Sequence, residues 1–217
     1  MLIMENKVAA GRVQNGKNAE KPDACVSCRK QQWDEVLSQT KIIAAVRSPS
    51  TLASALASPI RIVYLLFGNP MTIAEMIKTA EDCGKLTLVN ADLLQGFSRD
   101  AFAVEYLAHC GVAGIISTNH ETLRAARAQG LLTVLRTFMI DSASVDSGRR
   151  FLAHFQPDAV ELLPAIAAPL VIERIREDYP ELHVIAGGLV TNLKMVEALI
   201  EAKIDAVSAS DPQLWVL

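Results

Sequence analysis

Two short stretches of this sequence end in groups that can hold an anion. His183 to Thr191 reads HVIAGGLVT, and Ala206 to Leu214 reads AVSASDPQL. A glycine pair after a buried strand permits a turn and bares backbone N–H groups to whatever lies above. Ser208 and Ser210 add hydroxyl donors. Asp211-Pro212 reads as the cap and first residue of a short helix. Together they predict a phosphate against Gly187, Gly188, Ala209 and Ser210. The carboxylate of Asp211 fits there only if it turns toward its own helix. The plainer reading of Gly187-Gly188 is a tight turn.

Further polar residues interrupt apolar runs. Arg47 and Arg136 can each pair with a phosphate or a carboxylate, or close a salt bridge to Asp92 or Glu161. Glu161, inside DAVELLP, needs partners if buried. It could bind the hydroxyls of a polyol or act as a base. Asn90 and Asp92 are two apart and on a strand would share a face, unless Asp92 is already past the strand and caps a turn, and Ser117-Thr118 adds hydroxyls. Groups for chemistry are sparser. Lys41 and Lys85 start strands rather than end them. His109, His120, His154 and His183 fall on helices or a strand start, and none sits in H-E-x-x-H spacing. Cys25-x-x-Cys28 is half a zinc motif without a second half. No catalytic residue, cofactor or metal site is expected. The rival is an enzyme acting on a sugar or triose phosphate, with Asp92 or Glu161 as base.

The elements that must position these residues follow a regular rhythm. Strands are predicted at 42–46, 61–66, 85–90, 113–116, 131–136, 158–162, 182–186 and 204–208. Helices are predicted between them at 49–57, 72–82, 98–109, 119–129, 142–155, 168–179 and 191–201. Ser98, Asn119 and Thr191 precede helical segments as caps, and Gly84, Gly111 and Gly130 follow them. Strict alternation argues for a parallel sheet, because parallel neighbours need crossover helices. Eight such units make a compact (β/α)8 barrel with a truncated last helix. The rival, a doubly wound open sheet, lacks its glycine fingerprint: the first strand runs into Arg47-Ser48-Pro49. In a barrel the site lies at the C-terminal strand ends, where the candidate anion- and polyol-binding residues above fall. Residues 31–217 are expected to form this single domain, entered by a short helix over Gln31–Gln39 carrying Trp33, Val36 and Leu37. Residues 1–30, without apolar periodicity, are expected to be a flexible extension.

Composition narrows the class further. Hydrophobic residues make up 51% of the 217, enough for a large core. No apolar run reaches the length of a membrane span, and MLIMENK does not open a signal peptide. Four cysteines suit a reducing, cytoplasmic setting. Residues 1–41 hold seven Lys/Arg and five Asp/Glu, which leaves 14 basic and 19 acidic residues beyond them. A barrel this acidic does not offer a nucleic-acid surface as a whole. Any such contact needs a local patch: Arg124 with Arg127, Arg149-Arg150, or Arg174 with Arg176.

The segments KIIAAVR, VYLLFGNP, VNADLLQGFS, GIIST, GLLTVLRTFMIDS, VELLPAIA, VIAGGLVT and AVSASDPQLW occur in this order. Over residues 41–215 the chain resembles the glycerol uptake operon antiterminator regulatory protein family. The resemblance implies a (β/α)8 barrel that is not primarily an enzyme. It implies a sensor of glycerol 3-phosphate, or a similar phosphorylated polyol, that binds leader mRNA of glycerol-utilisation genes and prevents early termination. The ligand residues, read from the strand ends rather than from the resemblance, are expected to be Arg47, Asn90, Asp92, Ser117, Arg136, Glu161, Gly187, Gly188, Ser208, Ala209 and Ser210. Arg149 and Arg150 form the strongest basic patch for RNA. The chain departs from the family at Asn90, where members commonly carry His, and in its extension through about residue 40. Homo-oligomerisation stays open.

Overall fold

The computed structural model describes residues 22–216. Eight parallel strands close into a barrel in sequence order, each pairing with the next and β1 with β8. They are β1 (Ile42–Val46), β2 (Ile62–Leu65), β3 (Leu86–Asn90), β4 (Gly114–Ser117), β5 (Leu132–Phe138), β6 (Ala159–Leu163), β7 (His183–Gly187) and β8 (Ala206–Ala209). Seven helices connect them: α2 (Pro49–Ala57), α3 (Ile73–Asp82), α4 (Ala101–His109), α5 (His120–Ala128), α6 (Ser142–His154), α7 (Ile172–Asp178) and α8 (Leu193–Glu201). A 3-10 helix at Ala165–Leu170 precedes α7, and β8 runs into a 3-10 turn at Pro212–Leu214. The expected helix at 168–179 is thus split, with Pro169 inside the 3-10 part. Proline cannot donate the backbone bond that a continuous α-helix requires.

Local chemistry sets the helix starts. Ser48 accepts from the Thr51 N–H while Thr51 bonds back, and Pro49 follows at the first helical position, a reciprocal cap. Asp141 and Ser144 form the same box before α6. The cap of α4 is Asp100, not Ser98, and the cap of α8 is Asn192, not Thr191. In both cases the residue next to the first turn, with its longer polar arm, takes the role.

Strand alternation divides the core in two. Val46, Val63, Val89, Ile115, Leu135, Val160, Val184 and Val207 face the helices. Ile43, Ile62, Tyr64, Leu88, Ile116, Leu132, Val134, Ala159, Ile185 and Ala206 fill the barrel. Trp33, Val36 and Leu37 join this inner cluster from α1 (Pro22–Gln39). The helix therefore plugs the N-terminal end of the barrel. It begins at Pro22, well before the Gln31 start that the apolar spacing suggests; residues 1–21 of the expected extension lie outside the described part. Polar contacts hold the plug: the Arg29 guanidinium donates to the Gly130 carbonyl, and Asp34 meets both Lys30 and His183. At β7 the plug and barrel share one cluster. His183 Nε2 lies 2.9 Å from Asp34 and Nδ1 3.8 Å from Asp205, which also binds Arg176 at 2.7 Å and the Val184 N–H at 2.6 Å. The described residues include no helix long and apolar enough to cross a membrane.

Candidate ligand-binding site

The C-terminal half of the barrel interior is polar. Inward positions of β5, β6 and β8 carry Arg136, Glu161 and Ser208. Glu161 is fully buried, and both its oxygens are engaged: Arg136 Nε donates to Oε2 at 2.6 Å and Ser208 Oγ to Oε1 at 2.6 Å. The Arg136 side chain is only 11% exposed. A buried ion pair of this kind stands because hydrogen bonds satisfy the charges that burial strips of water. Of the two roles expected for Arg136, the structure shows the salt bridge.

Gly187 has a task that the sequence reading did not include. A Cβ on it would lie 2.4 Å from Ser208 Oγ and 2.8 Å from Glu161 Oε1. Residue 187 must lack a side chain for Ser208 and Glu161 to meet. Gly188 differs: its φ of +78° starts a left-handed turn, continued by Leu189 at φ 60°. The Gly188 carbonyl accepts from the Ala165 N–H at 3.2 Å. The N–H groups of Gly188 and Ser210 make no hydrogen bond among the described residues. They lie just past the ends of adjacent strands, whose last paired residues are Gly187 and Ser208. Ala209 ends β8, and its carbonyl takes the indole N–H of buried Trp215 at 2.9 Å. Asp211 does turn to its own helix, accepting from the Gln213 N–H at 3.0 Å.

Asp92 belongs to a tether between neighbouring strands. It accepts from Ser117 Oγ at 2.7 Å and from the Thr118 N–H and hydroxyl at 2.6 and 2.9 Å, with Arg99 at 3.8 Å. Its own N–H donates to Asn90 Oδ1 at 3.0 Å. Ser117 and Asp92 are thus brought together, with the second Asp92 oxygen held by Thr118 and the Ser117 hydroxyl also accepting from the Asn119 N–H at 2.9 Å. Arg47 is exposed and has no side-chain partner among the described residues. It lines a groove of about 680 Å³ between α2 and α3, with Phe67 and Met76.

Two buried donors complete the interior. Asn90 and Tyr64 are both 0% exposed, and Asn90 Nδ2 and Tyr64 Oη have no partner among the described residues. Burial and the nearby Glu161 push the Tyr64 phenol well above its ordinary pKa, against the opposing pull of Arg136. It is therefore a neutral O–H. Tyr64 escaped the sequence reading because it sits in the apolar run RIVYLL. The alternation of that strand, which places it beside Ile62 on the inner face, was the available signal.

On the helical ring, the expected basic patch is partly neutralised. Arg149 donates to Asp178 through Nε and Nη2 at 3.1 and 2.6 Å. Asp146, Arg149, Arg150 and Asp178 line one shallow concavity, so two carboxylates face two guanidinium groups. Arg124 pairs with Glu121, Arg127 lies 4.1 Å over the Phe155 ring, and Arg176 binds Asp205. Cys28 is an exposed free thiol; the side chain of Cys25 lies outside the described part. Among the described residues no three His, Cys, Asp or Glu side chains gather to hold a metal.

The barrel is shared with known proteins. A crystal structure of a glycerol uptake operon antiterminator-related protein from Thermotoga maritima is 28% identical, with a TM-score of 0.73 over 81% of this chain and 98% of that one. The glycerol uptake operon antiterminator regulatory protein of Listeria monocytogenes is 30% identical, with a TM-score of 0.76 over 81% of this chain and 94% of that one. YgcP of Escherichia coli K12, an uncharacterised protein, is 33% identical over 84% of this chain and 95% of its own length. The model of the family described as glycerol-3-phosphate responsive antiterminator matches residues 42–215, from the first strand of the barrel to the turn after the last, and the chain belongs to that family.

Proposed function

We propose that this protein is a ligand-sensing transcription antiterminator. It binds glycerol 3-phosphate at the barrel mouth and the leader mRNA of glycerol-utilisation genes. The observation that carries the ligand reading is the pair of unspent N–H groups at Gly188 and Ser210, past the ends of adjacent strands. The loops after strands seven and eight are a recurrent phosphate site of this fold, and backbone N–H groups suit an anion. The family description supports the choice of ligand.

Binding without turnover is the reading that the interior favours. Both oxygens of Glu161 are held by Arg136 and Ser208, and Asp92 is held by Ser117 and Thr118. A general base needs a free position facing the proton it removes. Ligand can switch RNA affinity only by binding two states of the protein unequally. Filter binding of a leader transcript, with and without glycerol 3-phosphate, tests this. A ligand-dependent, salt-sensitive affinity is expected; equal retention in both conditions contradicts it.

A further inference from the structure

We infer that Tyr64 and Asn90 are specificity-determining residues: buried donors kept unpaired to read an oxygen on the carbon chain of the ligand. The inference rests on the proposed phosphate-ester site above them and deepens it.

Five buried side-chain polar atoms lack a partner among the described residues. Trp33 Nε1 belongs to the plug helix at the opposite end of the barrel. Thr87 precedes the inward-facing Leu88 and so faces the helices, and Thr122 lies on α5. Tyr64 Oη and Asn90 Nδ2 remain, on the inner faces of neighbouring strands. The amide of Asn90 is oriented, because its Oδ1 accepts the Asp92 N–H at 3.0 Å and leaves Nδ2 as the free end. The phenol of Tyr64 senses both members of the Arg136–Glu161 pair and stays protonated. On the neighbouring β1, the residue in register with Tyr64 is the small Ala45, at an inward position.

Unpaired donors in a closed interior are a cost to the fold. Sites that hydrogen-bond a ligand oxygen leave such groups unpaired when it is absent, and reject analogues that lack it. The ligand class that fits is a phosphate ester whose carbon chain carries an oxygen able to accept two hydrogen bonds. A hydroxyl meets this.

The test is calorimetric titration of wild type, Tyr64→Phe and Asn90→Leu with two probes. Glycerol 3-phosphate carries chain hydroxyls; ethyl phosphate presents the phosphate without them. Wild type is expected to prefer glycerol 3-phosphate, and each variant to lose at least tenfold of that preference with ethyl phosphate affinity unchanged. Variants that keep the wild-type ratio overturn the assignment of Tyr64 and Asn90 and leave the phosphate site standing. A wild type that binds neither probe overturns the phosphate reading and this inference with it. Thermal melting without ligand adds an independent readout. Tyr64→Phe should melt no lower than wild type, since it removes only an unpaired hydroxyl. A lower melting temperature would assign that hydroxyl to a structural water and overturn the ligand role.

Discussion

Ser208 Oγ lies 2.6 Å from Glu161 Oε1, and the approach depends on the missing side chain of Gly187 between them. Ser208 ends its bond on a carboxylate that Arg136 also holds. Three strands, β5, β6 and β8, are thus joined through one buried group, across the gap that a glycine on β7 leaves open.

Gly187→Ala tests that relationship. The added methyl would stand 2.4 Å from Ser208 Oγ, so the serine must leave its partner. Overpacking of this sort costs about 1–3 kcal/mol. Urea denaturation should show that loss, and it should shrink when Ser208→Gly removes the clashing hydroxymethyl group. A Gly187→Ala protein as stable as wild type would contradict the packing described.

Arg136→Met should be more damaging than its position at the rim suggests. It leaves the fully buried Glu161 without its counter-charge, a loss of about 3–5 kcal/mol. Changing both, Arg136→Met with Glu161→Leu, should recover much of it. Additive losses in the double variant would argue that the two residues act independently.

The fold was legible because each strand and helix carries its own period, and the alternation repeats eight times. The plug helix was legible only in part. From Pro22 to Lys30 nothing apolar recurs at helical spacing, and Trp33, Val36 and Leu37 bury against residues far away in sequence. The salt bridge of Arg136 with Glu161 was one of two compatible readings, and its geometry comes from facing strands that local pattern does not reveal. The bonds of Asp92 to Ser117 and Thr118 were not legible because they come from the next strand. Arg149 resembled free charge because Asp178 is 29 residues away. In each case pairing across elements, rather than local pattern, fixed the role.

The plug makes stability depend on pH through His183. Burial lowers its pKa, but the carboxylates of Asp205 and Asp34, which favour the protonated ring, outweigh that and hold it above the ordinary value. A raised folded-state pKa means that its contribution is full below about 6.5 and fades as pH rises through the folded value. Denaturation midpoints of wild type and His183→Gln should therefore differ most near pH 5.5 and converge toward pH 8.5. Asp205, held below its ordinary value against burial by His183, the Val184 N–H and Arg176, adds stability that is lost only in stronger acid. A gap between wild type and variant that widens with rising pH would contradict the assignment.

RNA contact on the ring between α6 and α7 should rest on Arg150 more than on Arg149, which is tied to Asp178. Arg150→Glu should lower leader RNA affinity and flatten its salt dependence, while Arg149→Gln alone changes little. Glycerol 3-phosphate binding should survive in both, since the patch is away from the mouth. Unchanged RNA affinity in an Arg149→Glu/Arg150→Glu protein would exclude this face.

The most direct measurement of the central claim is ligand-dependent stability of wild type and Gly188→Asp with glycerol 3-phosphate. A carboxylate at residue 188 would oppose an anion at its N–H, and aspartate tolerates the left-handed backbone there better than most residues. Wild type should gain about 2.7 kcal/mol at a ligand concentration 100 times the dissociation constant, and the folded variant should gain nothing. A wild type unmoved by millimolar glycerol 3-phosphate, or a variant stabilised as much as wild type, would contradict the account.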